Sequence, residues 1–126
     1  MKREHLEQFL ERGYQLGFEK STDSPDHLGW ILVCKRNPDD RYLSLLRPGE
    51  EPEFVAKQEL YRTRPYQVQV IELPKEVLES DRYESNEDYR VNQVHYFPTL
   101  DAAEEFVQKF GHTLTDIRWR SEINAP

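Results

Sequence analysis

The sequence predicts an α+β fold: an antiparallel sheet of about five strands with two main helices packed on one face. Three observations lead to it. Segments with strand-type alternation outnumber segments with helical spacing. The two clear amphipathic segments lie near opposite ends of the chain, too few and too far apart for repeated βαβ units. The 126 residues carry 6 Phe, 7 Tyr and 2 Trp, spread along most of the length, which supplies a core and argues against disorder. One compact domain over residues 1–126 is the expectation at this length.

The elements follow in chain order. Leu6, Phe9, Leu10 and Gly13 fall at i, i+3, i+4 and i+7, with Glu4, Glu7, Gln8, Glu11 and Arg12 on the polar side, so the chain opens with a helix. Gly13 and Gly17 read as end signals, with a short extended piece beginning at Gly17-Phe18. Residues 21–26 have loop chemistry. Trp30 to Arg36 and Arg41 to Arg47 read as two arms of a hairpin joined by Asn37-Pro38-Asp39-Asp40. The first arm is apolar on both faces: Trp30, Leu32 and Cys34 on one, Ile31 and Val33 on the other. That pattern belongs to a central or covered strand.

Residues 53–61 have helical spacing at Phe54, Lys57, Gln58 and Tyr61, but so short a segment also reads as irregular. Tyr66 to Glu72 alternates as a strand that Pro74 ends, and Val91 to Phe97 is another strand. Between them, residues 75–90 read as a long, exposed, acidic loop with one helical turn near Glu76-Val77-Leu78. Thr99 is a good N-cap for a helix whose apolar face is Leu100, Ala103, Phe106, Val107 and Phe110, and Gly111 ends it. Thr113 to Ser121 reads as a last strand, with Leu114, Asp116, Arg118 and Arg120 opposite Thr115, Ile117 and Trp119. Residues beyond Ile123 are expected to fray.

Charge narrows the function. Lys plus Arg is 17 and Asp plus Glu is 24, so 17 − 24 gives a net charge of −7. Phosphate backbones require a basic surplus on at least one face, so nucleic acid is a disfavoured partner. No run reaches the roughly 20 apolar residues of a membrane span, and no polybasic patch suits a lipid surface. The N-terminus lacks an apolar secretory segment, and the single Cys34 cannot form an internal disulfide. A cytoplasmic protein is the expectation.

No motif assigns a chemistry. His5, His27, His95 and His112 are scattered with no metal-ligand spacing: His5 reads as a solvated helix residue, His27 and His112 as loop residues, and His95 as sheet surface within a strand. There is no nucleophile elbow and no glycine-rich phosphate cradle. Cys34 sits in an apolar strand, where a thiol behaves as a small core residue. An enzyme with dispersed groups, built around His95 or Cys34 beside an acid or base in a pocket, is the third-ranked reading and no cofactor is called for.

Two surface features remain. Arg62 and Arg64, interleaved with Tyr61 and Tyr66, and Arg118 and Arg120, flanking Trp119, are residue types that anchor protein interfaces. They serve equally to pair with the chain's own acids. Asp39, Asp40, Asp81, Glu84, Glu87 and Asp88 supply oxygens that a Ca²⁺ ion would need, though without the EF-hand order and its central glycine. The leading expectation is therefore a small acidic interaction or regulatory protein that binds a protein partner through its surface, charge favouring a basic one. A Ca²⁺-binding protein using loop carboxylates is the alternative.

Overall fold

The computed structural model of the chain describes residues 1–39, 49, 52–80 and 85–126. Five strands form one sheet: β1 (Leu16–Lys20), β2 (His27–Lys35), β3 (Tyr66–Pro74), β4 (Val91–Phe97) and β5 (Arg118–Trp119). Their spatial order is β4-β3-β2-β1-β5, every pair antiparallel. Among the described residues four α-helices accompany them: α1 (Arg3–Glu11), α2 (Pro52–Thr63), α3 (Lys75–Glu79) and α4 (Leu100–Gln108). The α+β class and antiparallel sheet are as the sequence predicts.

β2 lies at the centre, as its two apolar faces require. Ile31 pairs with Phe18 on one side and Val70 on the other, while Trp30 faces Glu19 and Ile71. Both edges of β2 are thus occupied by β1 and β3. The second hairpin arm expected at residues 41–47 lies outside the described residues.

Alternation then divides the sheet into two faces. On one face Leu16, Phe18, Ile31, Val33, Val68 and Val70 meet Leu6 and Leu10 of α1 and Leu100, Ala103 and Val107 of α4. These side chains are nearly or fully withdrawn from water, each contributing about 1.5–3 kcal/mol if a large aliphatic. On the other face Trp30, Leu32, Ile71 and Leu73 gather with Ile123 of the C-terminal tail, edged by Leu78 of α3 and by Tyr89. The indole Nε1 of Trp30 donates to the Ile123 carbonyl at 2.7 Å, and beyond Ile123, where fraying is expected, the Ala125 amide still donates to the Arg120 carbonyl at 3.3 Å.

The helix ends differ in what holds them. Thr99 accepts the Ala102 amide at 3.1 Å and caps α4 as its sequence predicts. α1 has only Lys2 before it and no side-chain cap. Its N-terminus is instead tied by tertiary contact: the Met1 ammonium donates to the Thr115 carbonyl at 2.6 Å. Gly13, at φ +87°, closes α1 in the left-handed conformation that favours glycine.

Three expectations are corrected. Gly17 is no end signal but an interior residue of β1, because a Cβ there would lie 2.3 Å from the Ile31 carbonyl oxygen and 3.2 Å from Ile123 Cδ1. His27 opens β2 rather than lying in a loop. The strand expected over 113–121 shrinks to Arg118–Trp119, preceded by a 3₁₀ turn at Leu114–Asp116. That turn puts Leu114 and Ile117, three residues apart, into the same core cluster rather than on opposite faces. Residues 52–63 form a helix, with Pro52 at its first position, where the missing N–H costs nothing.

Candidate functional site

The sequence-predicted arginines fall into two separate pairs. Arg62 and Arg64 sit at and just after the C-terminal end of α2, both exposed, with Arg62 bonded to Glu59 at 2.7 Å. α2 lies toward the β4 side, where Tyr61 meets Tyr96 at 6.3 Å between ring centres. Arg118 and Arg120 sit at the other margin of the sheet, on and just past β5. Arg118 pairs with Glu19 at 3.5 Å, and Arg120 donates to the Gln15 side chain at 2.6 Å. Trp119 between them packs against the core, with Phe9 4.6 Å away. Three of these four arginines are therefore engaged with the chain's own polar groups.

The oxygens proposed for calcium are not gathered where they are described. Asp40, Asp81 and Glu84 lie outside the described residues. Asp39 follows the end of β2 where Lys35 pairs with Tyr66, and its amide donates to the buried Gln58 side chain. Glu87 and Asp88 precede the opposite end, where Val91 pairs with Glu72. Asp88 accepts the Ser85 amide at 2.7 Å and so caps its own short turn. Among the described residues no group of three or more His, Cys, Asp or Glu is placed to hold a metal ion.

The histidines are equally dispersed. His5 is exposed on α1, and His27 Nδ1 meets Ser24 Oγ at 2.9 Å. His95 packs against Phe106, with ring centres 4.5 Å apart. His112 stacks on Phe18 at 4.6 Å, in a depression of about 500 Å³ shared with Lys20, Ser21, Asp116 and Arg118. Cys34 is buried. Its thiol is pushed above the ordinary value of 9.0 by loss of solvent, with Arg36 pulling weakly the other way. Desolvation of this kind suppresses the reactive thiolate.

The feature that does converge lies along α1. Burial of Leu6 and Leu10 against β2 turns the opposite side of the helix outward. Glu4, Glu7, Gln8, Glu11 and Arg12, with Tyr66 from the start of β3, line an open groove of about 710 Å³. Three carboxylates and one cation line it, and Arg3 and Lys35 beside it pair with Glu7 and Glu11. Tyr66 is half-buried, and its hydroxyl is held above its ordinary value of 10.0 by burial and then by the nearby Glu7 charge, against Arg3. Lys35 lies 5.6 Å from the Tyr66 ring centre and pairs with Glu11, bracing the groove at its β2 end.

At the other end of the groove Arg3 is a fixed brace. It reaches Glu7 at 3.4 Å on its own helix and Asp101 and Glu104 of α4, the latter at 3.6 Å. The Asp101 hydrogen bond in particular favours its charged form. α1 and α4 are therefore cross-linked above the sheet, and the groove's wall is a preset surface. Glu4 has no ion-pair partner among the described residues and is exposed. The sequence shows the acids as a helix's polar stripe. It does not show Tyr66, brought alongside from 55 or more positions later in the chain by the β3 register.

No protein-family model, curated protein or solved structure matches this chain. No helix among the described residues is long and apolar enough to cross a membrane.

Proposed function

We propose that this chain is a small acidic interaction protein that takes a basic protein partner into the groove along α1. The observation that carries the reading is the convergence of Glu4, Glu7 and Glu11 with half-buried Tyr66 in one open groove. The carboxylates would receive Lys or Arg side chains, and the Tyr66 ring offers a cation an aromatic face. The net charge of −7 adds a field that draws a basic partner in at a rate that falls with salt. Such a partner would fit the known logic of acidic regulators that cover a cationic surface. A reducing, cytoplasmic setting suits a chain whose single cysteine is buried and unpaired.

The test uses a lysine- and arginine-rich peptide as probe, titrated into the isotope-labelled protein at low salt. Amide shifts are expected to concentrate on residues 4–12 and Tyr66. Replacing Glu4, Glu7 and Glu11 together by Gln should weaken binding by about 10-fold or more. Shifts spread evenly over every acidic surface, or an unchanged affinity in the triple variant, would overturn the reading.

A further inference from the structure

Lys35 is the last residue of β2, and its position is set by the sheet register. It pairs directly with Tyr66, the first residue of β3, so the two side chains rise from the same face, the one that α1 covers. Glu11, the last residue of α1, reaches the same point. The Lys35 ammonium therefore makes two contacts at once: it pairs with the Glu11 carboxylate and lies 5.6 Å from the centre of the Tyr66 ring. Glu11 and Tyr66 both line the groove. A carboxylate beside an aromatic face is a seat for a cation, and the occupant here is the chain's own lysine.

We propose that Lys35 is a built-in competitor for the groove, and that the basic partner enters by putting an arginine in its place. This rests on the reading of the groove as a docking site for such a partner. Access permits the exchange. The Lys35 side chain is 17% accessible and that of Glu11 is 58% accessible, so a cation arriving from solvent meets the carboxylate while the lysine is still seated. The exchange belongs to this end of the groove. At the other end Arg3 is held by three carboxylates, Glu7, Asp101 and Glu104, whereas Lys35 is held by one among the described residues.

The chemistry of the seat selects arginine over lysine. An incoming ammonium would replace like with like, make the same two contacts and gain little. A guanidinium is flat, forked and less strongly hydrated, so it stacks on the Tyr66 ring and gives two hydrogen bonds to one carboxylate. Lys35 thus lowers affinity for every cation and leaves the groove to those that outbid an ammonium, which is specificity by competition.

Oligo-arginine and oligo-lysine peptides of equal length, titrated into the isotope-labelled chain, test this. The salt is held at about 0.15 M, where exposed charges more than roughly 8 Å apart are largely screened. The arginine peptide should bind about 3-fold tighter or more. The Lys35 side-chain methylenes, shifted by the Tyr66 ring in the free chain, should move to their ordinary positions as peptide binds. Lys35→Met keeps the packed stem and empties the seat, so both peptides should bind about 5-fold tighter. Lys35→Arg keeps the charge and fills the seat more firmly, so both should bind more weakly than to the wild type. Lys2→Met removes the same unit charge from an exposed position before α1 and should change either affinity by less than about 2-fold. Equal tightening by Lys2→Met and Lys35→Met would reduce Lys35 to general charge and overturn the proposal. So would equal affinity for the two peptides, or an unchanged affinity in Lys35→Met. Peptide shifts centred on residues 4–12 and Tyr66, with Lys35 still over the ring, would overturn the exchange and leave the groove standing. Shifts spread over every acidic surface would remove the groove and the exchange together.

Discussion

The two faces of the sheet are closed by different means. One is covered by two helices whose apolar stripes, Leu6 and Leu10 on α1 and Leu100, Ala103 and Val107 on α4, mesh with the odd-numbered residues of β2. The other is covered, among the described residues, by pieces: one turn of α3, the segment around Tyr89, and the tail at Ile123. A helix presents several side chains at once, each buried by the same docking event, so its face is thick and cooperative. A tail held by Ile123 and the Trp30 indole contributes one residue at a time and can be released alone. Neighbouring residues of one strand thus sit in environments of different strength.

The sharpest way to break that comparison is to truncate both sides of β2. Ile31→Ala should cost about 4 kcal/mol and Leu32→Ala about 2–3 kcal/mol, since the helix-covered face has fewer ways to collapse into the cavity. Urea unfolding of the two variants measures the difference, and a larger loss for Leu32→Ala would reverse the ranking. Next in size is Ile123→Ala, expected to cost about 2 kcal/mol. It should expose the Trp30 indole and shift its fluorescence to longer wavelength, with hydrogen exchange across Val68 and Val70 barely changed. Loss of protection on both faces together would show that the tail is part of the main cooperative unit.

The smallest effect concerns Cys34, on the face opposite α1 and α4. Its thiol ionises at higher pH in the folded chain than at its ordinary value of 9.0, because burial disfavours the thiolate. Below that value both states are protonated and the contribution is complete. Above it the unfolded chain sheds a proton that the folded chain keeps, so stability falls as pH rises through the folded value. The stability difference between wild type and Cys34→Ala should therefore shrink between about pH 8 and about pH 10. A constant difference would mean that the thiol is hydrated and this corner of the second face is wet.

Local patterns were enough for several elements. The two-sided apolarity of Trp30 to Cys34 announces the central strand, and the Thr99 cap and Gly111 bracket α4, because these signals act within a few residues of one another. The stretch after Thr113 departs from its alternating pattern for the same reason. Leu114 and Ile117 are spaced for a tight turn as well as for other patterns, and only their shared burial in one core cluster decides between them. Gly17 carried a turn signal in the sequence, yet its want of a side chain serves the close approach of Ile31 and Ile123. The candidate groove was half visible: its glutamates lie on one helix, while Tyr66 and Lys35 arrive from separate strands.

By itself the sequence determined which residues seek water and which avoid it, and hence the α+β class, the central place of β2 and the acidic exterior. Those follow from periodicity and charge, which are local quantities. The tertiary structure alone decided that α1 and α4 share a face, that the tail docks on the other, and that Arg3 links two helices. These depend on which distant segments meet, and hydrophobic attraction, having no direction, does not encode that choice in any one stretch of chain.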